Sequence, residues 1–165
     1  MLALRFHARD LRYLLDARRV VEIVPQVELR PAPGAPEAVV GVLDYRGLIV
    51  PVLDLCRYVG KGECAKRLSS RIIVLDVSLP QAGRHGDHAS GTLLGLLAER
   101  VLEVERVDEA PDGAWEPPVD EAHEALGEIR PGEVTEQLVR IEALIEPGLL
   151  HELARAAAAP DGAEA

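Results

Sequence analysis

Gly41-Val-Leu-Asp-Tyr-Arg-Gly-Leu-Ile-Val-Pro-Val-Leu-Asp-Leu55 places a polar, charged turn, Asp44-Tyr45-Arg46-Gly47, between two strongly apolar arms. The arms, residues 39–43 and 48–55, are rich in Val, Leu and Ile, the composition of buried strands. Gly47 supplies the positive φ that a tight hairpin turn needs. Pro51 has no amide proton to give a ladder, so its nitrogen is expected at an edge or a bulge. The segment reads as a β-hairpin that displays an arginine.

Outward from the hairpin, the chain is mostly short strands. Residues 2–7 alternate apolar and polar, and Arg9-Asp10 turns the chain into residues 11–15, an antiparallel opening pair. Asp16 is a suitable N-cap for a short helix over 17–22, where Ala17, Val20 and Val21 share helical spacing. Pro31-Ala-Pro-Gly-Ala-Pro36 is a stiff connector. Residues 60–71 form a mobile basic surface loop ahead of a buried strand at 72–77, and a polar, Gly-rich tip at 80–91 joins that strand to another at 92–98. A half-exposed strand is expected at 101–107, and an acidic irregular stretch with Trp115 at 108–124. Strands at 126–130 and 137–141 flank the turn Arg130-Pro-Gly-Glu133. A helical turn is expected at 142–145 and a C-terminal helix over about 148–158 starting from Pro147, followed by a frayed tail from Pro160. Many short strands with little helix indicate a mainly β barrel or sandwich.

Composition narrows the function. The 165 residues suffice for one domain, or for two small β-units sharing an interface. Hydrophobic residues make up 48%, but with one Phe, one Trp and three Tyr the core must be aliphatic. Apolar runs are too short and interrupted to suggest membrane insertion. A net charge of −10 disfavours nucleic acid and anionic membranes as partners. No signal peptide is visible at the start, so a cytoplasmic home is expected. Cys56 and Cys64, eight positions apart, show neither Cys-x-x-Cys spacing nor a histidine cluster, and are expected to be reduced and structural, with no metal and no cofactor.

No catalytic residue stands out. The serines at 69, 70, 78 and 90 carry no Gly-x-Ser-x-Gly turn, and no phosphate-cradling glycine loop is present. His85, Asp87 and His88 read as a solvated loop tip, and His7, His123 and His151 are isolated. Glu103 and Glu105 share one face of a strand and read as solvated. Surface recognition remains: Arg46 offers a planar fork and Tyr45 adds area, both residue types enriched at interface anchors. Equally, Arg46 could fold back on Glu22 or Asp44 as an internal clamp.

These residues resemble the CheW-like family, the coupling proteins of bacterial chemosensory arrays. That family's motif runs Gly, two residues, Asn-Leu-Arg-Gly, then an apolar strand with Pro that ends in Asp-Leu. Gly41, Arg46, Gly47, Pro51, Asp54 and Leu55 fit; Asp44 and Tyr45 depart from Asn and Leu. Upstream, Val20-Val21-Glu22-Ile23 sits where the family has Val-x-Glu-Ile, with the family's separation of 24 positions between Glu22 and Arg46. The likeness runs over about residues 2–150. Tyr45-Arg46 with the basic 67–71 stretch looks closest to members of Wsp-type surface-sensing pathways.

The resemblance implies two small five-stranded SH3-like β-barrels packed side by side. It implies a CheW-like domain of two β-subdomains over 1–150, with a helix end and flexible tail at 151–165. It also implies a non-enzymatic adaptor that links methyl-accepting chemoreceptor tips to a CheA-type histidine kinase, cytoplasmic and recruited to receptor arrays. Its partner-binding residues would be Glu22, Gly41, Asp44, Tyr45, Arg46 and Gly47. The kinase would dock through its own CheW-like regulatory domain. The alternatives are a ligand-binding or enzymatic all-β barrel, and a decoy that binds receptor without recruiting kinase.

Overall fold

The two ends of the chain build one sheet and its middle builds a second. The computed structural model describes residues 1–78, 92–107, 126–127, 129–130 and 134–158. In the first sheet β1 (Leu2–Ala8) and β2 (Leu11–Asp16) form the expected hairpin, with Arg9 at positive φ in its turn. Late segments then join both sides. β8 (Val104–Arg106) pairs with β1, β10 (Glu136–Leu138) runs parallel to β2, and β9 (Ile129–Arg130) is antiparallel to β10. The second sheet has the order β3 (Val20–Pro25), β6 (Arg71–Asp76), β7 (Leu93–Ala98), β5 (Leu48–Asp54), β4 (Val39–Tyr45), with only β5 and β7 parallel.

The five-strand count of each unit and their side-by-side placement agree with expectation. The ladders define two sheets; a single bridge, Arg30 to Val42, draws the chain beyond β3 onto β4 at the far edge of the second. A backbone pair joins the sheets: His7 N–H donates to the Glu99 carbonyl and Glu99 N–H to the His7 carbonyl, both at 2.8 Å. One continuous core crosses this seam. Leu4, Phe6, Tyr13 and Leu15 from the first sheet pack with Ile73, Leu75, Leu94 and Leu96 from the second. The aliphatic core read from composition is present; among the described residues Phe6 stacks on Tyr13 with ring centroids 6.0 Å apart.

One expected element is corrected. The helix read over 17–22 is a single 3-10 turn, Ala17–Arg19, and Val20 to Glu22 belong to β3. The Asp16 cap does form, its carboxylate accepting from Arg18 N at 3.0 Å. The β-branched run Val20, Val21, Ile23, Val24 then finds a full partner in β6, and pairing outweighs a weak helical spacing. Of the strands expected at 101–107, 126–130 and 137–141, the described residues show β8 and β9 within the first two, while β10 starts one residue ahead of the third and Ile141 already opens a helical turn. The loop tip at 80–91 with His85, Asp87 and His88, the stretch 108–124, the turn centre at 131–133 and the tail from 160 lie outside the described residues.

Pro51 sits in a second-from-edge strand, yet breaks no bond. It faces Val42, whose N–H and C=O are both taken by Arg30 on the other side, so β4 and β5 exchange no hydrogen bond at that pair. Its nitrogen therefore faces away from β4, one residue before the β7 ladder begins at Val52. The C-terminal elements follow expectation: α2 (Ile141–Leu144) follows α1 (Leu55–Tyr58), and α3 (Pro147–Ala158) packs on β5, burying Leu150 and Ala154. The 60–71 loop is exposed but pinned. Cys64 N donates to Asp54, Ala65 N to Glu99, and the Ser70 hydroxyl to the Ala65 carbonyl.

The seam predicts a pH response. His7 is buried, and burial, helped by the Arg100, Arg12 and Arg5 charges, lowers its pKa below 6.5. The unfolded chain then binds the proton first, so this stability is complete above about pH 6.5 and is lost as pH falls through the folded value. Denaturant melts above and below pH 6.5 should show the wild type weakening on acidification, with a smaller drop for His7→Gln. An equal drop would remove His7 as the cause.

Candidate functional site

The site begins with the turn between β4 and β5. Tyr45 pairs with Leu48, leaving Arg46 and Gly47 at the tip with φ of 49° and 81°. Positive φ at both positions is the signature of a type I′ turn, whose twist suits a two-residue hairpin. Arginine thus shares the left-handed conformation expected of Gly47 alone, at a cost of about 1 kcal/mol. Asp44 Oδ1 closes the turn by accepting from Gly47 N at 3.0 Å. That bond needs an acceptor, so aspartate serves at position 44 as asparagine would.

β3 and β4 are the two edges of the second sheet, yet their side chains meet. The Tyr45 hydroxyl donates to Glu22 Oε2, and Arg46 Nη2 donates to the same oxygen at 3.2 Å. The Arg46 guanidinium carbon lies 5.3 Å from the Tyr45 ring centroid, a cation–π distance. The sheet therefore curls until its edges touch, with Tyr45, Val50, Val74 and Leu93 forming a small core beneath the tip. Burial, then the Glu22 carboxylate, raises the Tyr45 pKa, so the phenol stays a donor.

The members of this cluster divide by exposure. Tyr45 is 8% exposed and acts as a support, whereas the Arg46 side chain is 75% exposed. The internal clamp onto Glu22 exists, but a pair so open to water contributes little, and most of the guanidinium's five donors face outward. Ile23 and Val27 add exposed apolar surface beside Glu22 in the chain. Together Glu22, Tyr45 and Arg46 form an acidic and basic hydrogen-bonding group at the hairpin tip.

Gly41 lies deeper. It is buried, and a Cβ there would stand 2.5 Å from the Arg30 carbonyl oxygen and 2.8 Å from Leu29 Cβ. The missing side chain makes room for the chain's own segment 29–30, so Gly41 shapes the site from underneath. That segment went unnoticed in the sequence, because a single bridge leaves no periodic signal. Of the six expected site residues, Glu22, Asp44, Tyr45, Arg46 and Gly47 gather at the tip. Elsewhere, Asp54, Cys56 and Cys64 also come together in the core.

Comparison with known proteins places the chain in a family. Residues 2–146 match the model of the CheW-like domain. The chain belongs to the CheW-like domain family. Among curated proteins, FrzA of Myxococcus xanthus is 31% identical over 102 residues, 62% of this chain and 56% of FrzA, so the match spans little more than half of that relative's length. Among solved structures, the scaffolding protein TtCheW of Thermoanaerobacter tengcongensis superposes with a TM-score of 0.71 at 28% identity, covering 88% of this chain and 87% of that one. The CheW-like turn, with its arginine and glycine, is the part of the family motif that this chain sets on its exposed tip. Among the described residues no helix is long and apolar enough to cross a membrane.

Proposed function

We propose that this chain is a non-enzymatic adaptor that couples methyl-accepting chemoreceptors to a CheA-type histidine kinase in a bacterial chemosensory array. The observation that carries this is the Glu22–Tyr45–Arg46 cluster, held on a rigid hairpin tip in a CheW-like domain. Tyr45 fixes the Glu22 carboxylate from below, and Arg46 presents a fork to a carboxylate or carbonyl of the receptor's cytoplasmic tip. Gly41, Asp44 and Gly47 set the backbone that carries this hairpin tip. The kinase engages a different surface through its own CheW-like regulatory domain. Exposed Leu2, at the start of β1, and Leu102 and Val104, beside and on the edge strand β8, are apolar surface suited to such sheet-edge packing.

The adaptor acts in the cytoplasm, makes and breaks no bond, and is recruited to membrane-bound receptors. Kinase activity is its output, through geometry and occupancy.

Co-sedimentation of the purified chain with receptor fragments and a CheA-type kinase, omitting each component in turn, tests the proposal. Kinase recruitment that requires this chain is expected, and Arg46→Glu should abolish it while the fold survives. Receptor binding without kinase recruitment would make the chain a decoy. Binding to neither partner would overturn the adaptor reading and leave a ligand-binding barrel.

A further inference from the structure

Asp54 closes β5, Cys56 lies in α1, and Cys64 returns from the loop that follows. A carboxylate oxygen and both Sγ atoms lie within 4.8 Å of one another, and all three residues are buried. Glu99, buried at the end of β7, brings Oε1 to 3.7 Å from Cys56 Sγ. Both carboxylates are already aimed by backbone donors. Asp54 accepts from Arg57 N at 3.1 Å and from Cys64 N at 3.0 Å; Glu99 Oε1 accepts from Ala65 N at 2.7 Å. Such outer contacts orient metal ligands, and carboxylate oxygens keep further lone pairs for an ion.

We propose that Asp54, Cys56 and Cys64 form a binding site for a divalent metal ion of the zinc class, with Glu99 beside the fourth position. Two thiols with carboxylate oxygens suit a borderline-soft tetrahedral ion. Bonds of about 2.3 Å to sulfur and about 2.1 Å to oxygen set neighbouring ligand atoms roughly 3.4–3.8 Å apart, so the cluster closes with side-chain adjustments on the order of 1 Å. The Cys56–Glu99 separation already falls in that range.

Charge supports the assignment. Buried carboxylates and thiolates are costly unless compensated. Arg57 Nε lies 4.0 Å from Asp54 and Arg9 Nε 3.8 Å from Glu99, so two guanidiniums offset the carboxylates and a divalent ion offsets the two thiolates. Binding exchanges both thiol protons for the ion and releases them to solvent. The ion would clip the loop carrying Cys64 to the ends of β5 and β7.

The test needs no partner protein, so its failure is separate from that of the adaptor reading. The full chain, treated with chelator and reductant, is titrated with Co²⁺ alone. One equivalent per chain should bind, with thiolate-to-cobalt charge-transfer absorption and strong tetrahedral d–d bands that Zn²⁺ bleaches. Zn²⁺ at 100 times its Kd should raise Tm by roughly 5–10 °C. Cys56→Ser and Cys64→Ser should each remove the charge-transfer band; if either fails to fold, the wild-type titration decides alone. No such band at millimolar Co²⁺ would overturn the site, as would a band unchanged in the folded serine variants. Loss of both thiols to a disulfide without reductant, with no cobalt bound after reduction, would overturn it in favour of a redox pair.

Discussion

Gly41→Ala is expected to destabilise the protein by about 3 kcal/mol or more, as a lower denaturant midpoint at unchanged slope. The added Cβ would sit 2.5 Å from a backbone oxygen, that of Arg30, which no rotamer change can move aside. Relief requires pushing segment 29–30 off β4. That gives up both Arg30–Val42 hydrogen bonds and opens the edge where β3 and β4 approach. Gly47→Ala is the control. It shares positive φ, but nothing lies within 4 Å of its Cβ position, so the cost should be only about 1 kcal/mol of backbone strain. Equal losses in the two variants would mean that conformation, and not the close approach of segment 29–30, determines the need for glycine at 41.

Arg46→Gly should separate stability from function. Arginine at φ 49° bears left-handed strain, and its bond to Glu22 is solvent-exposed, so glycine should leave stability unchanged or raise it by up to about 1 kcal/mol. Receptor binding should nevertheless weaken by roughly 30-fold or more, the loss of an interface anchor worth about 2 kcal/mol. Arg46→Lys keeps the charge without the planar fork and should fall between. Sedimentation affinities measured beside denaturant melts read both quantities. Undiminished receptor binding by a stable Arg46→Gly protein would remove Arg46 from the interface. A strained arginine retained at a turn where glycine would be easier is what selection for recognition, at the expense of stability, would leave.

Much of the fold was legible because it was local. The Asp44–Gly47 turn, the opening hairpin around Arg9-Asp10 and the Pro147 helix start each depend on residues a few positions apart. Glu22 was placed at the site only through its family spacing to Arg46, and its local context was misread as a helix end. Nothing within residues 17–22 reveals that β6 waits to pair with them, and an intrinsic helical preference worth tenths of a kcal/mol yields to a full ladder. The meeting of Asp54, Cys56 and Cys64 was hidden for a similar reason: a strand end, a helical turn and a returning loop do the gathering, and none of these is written in close spacing.

By itself, the sequence determined a mainly β chain, a hairpin that displays Arg46, an aliphatic core and membership in a family, since alternation, turn chemistry and a motif are written in neighbouring residues. The tertiary structure alone decided that the first and last strands share a sheet, and that Tyr45 and Arg46 converge on a single oxygen of Glu22. It also decided that the space above Gly41 belongs to Arg30, and that two thiols and two carboxylates meet in the core. Those juxtapositions come from the curl and pairing order of sheets, which minimise exposed apolar area over the whole chain and so leave no mark on any one segment.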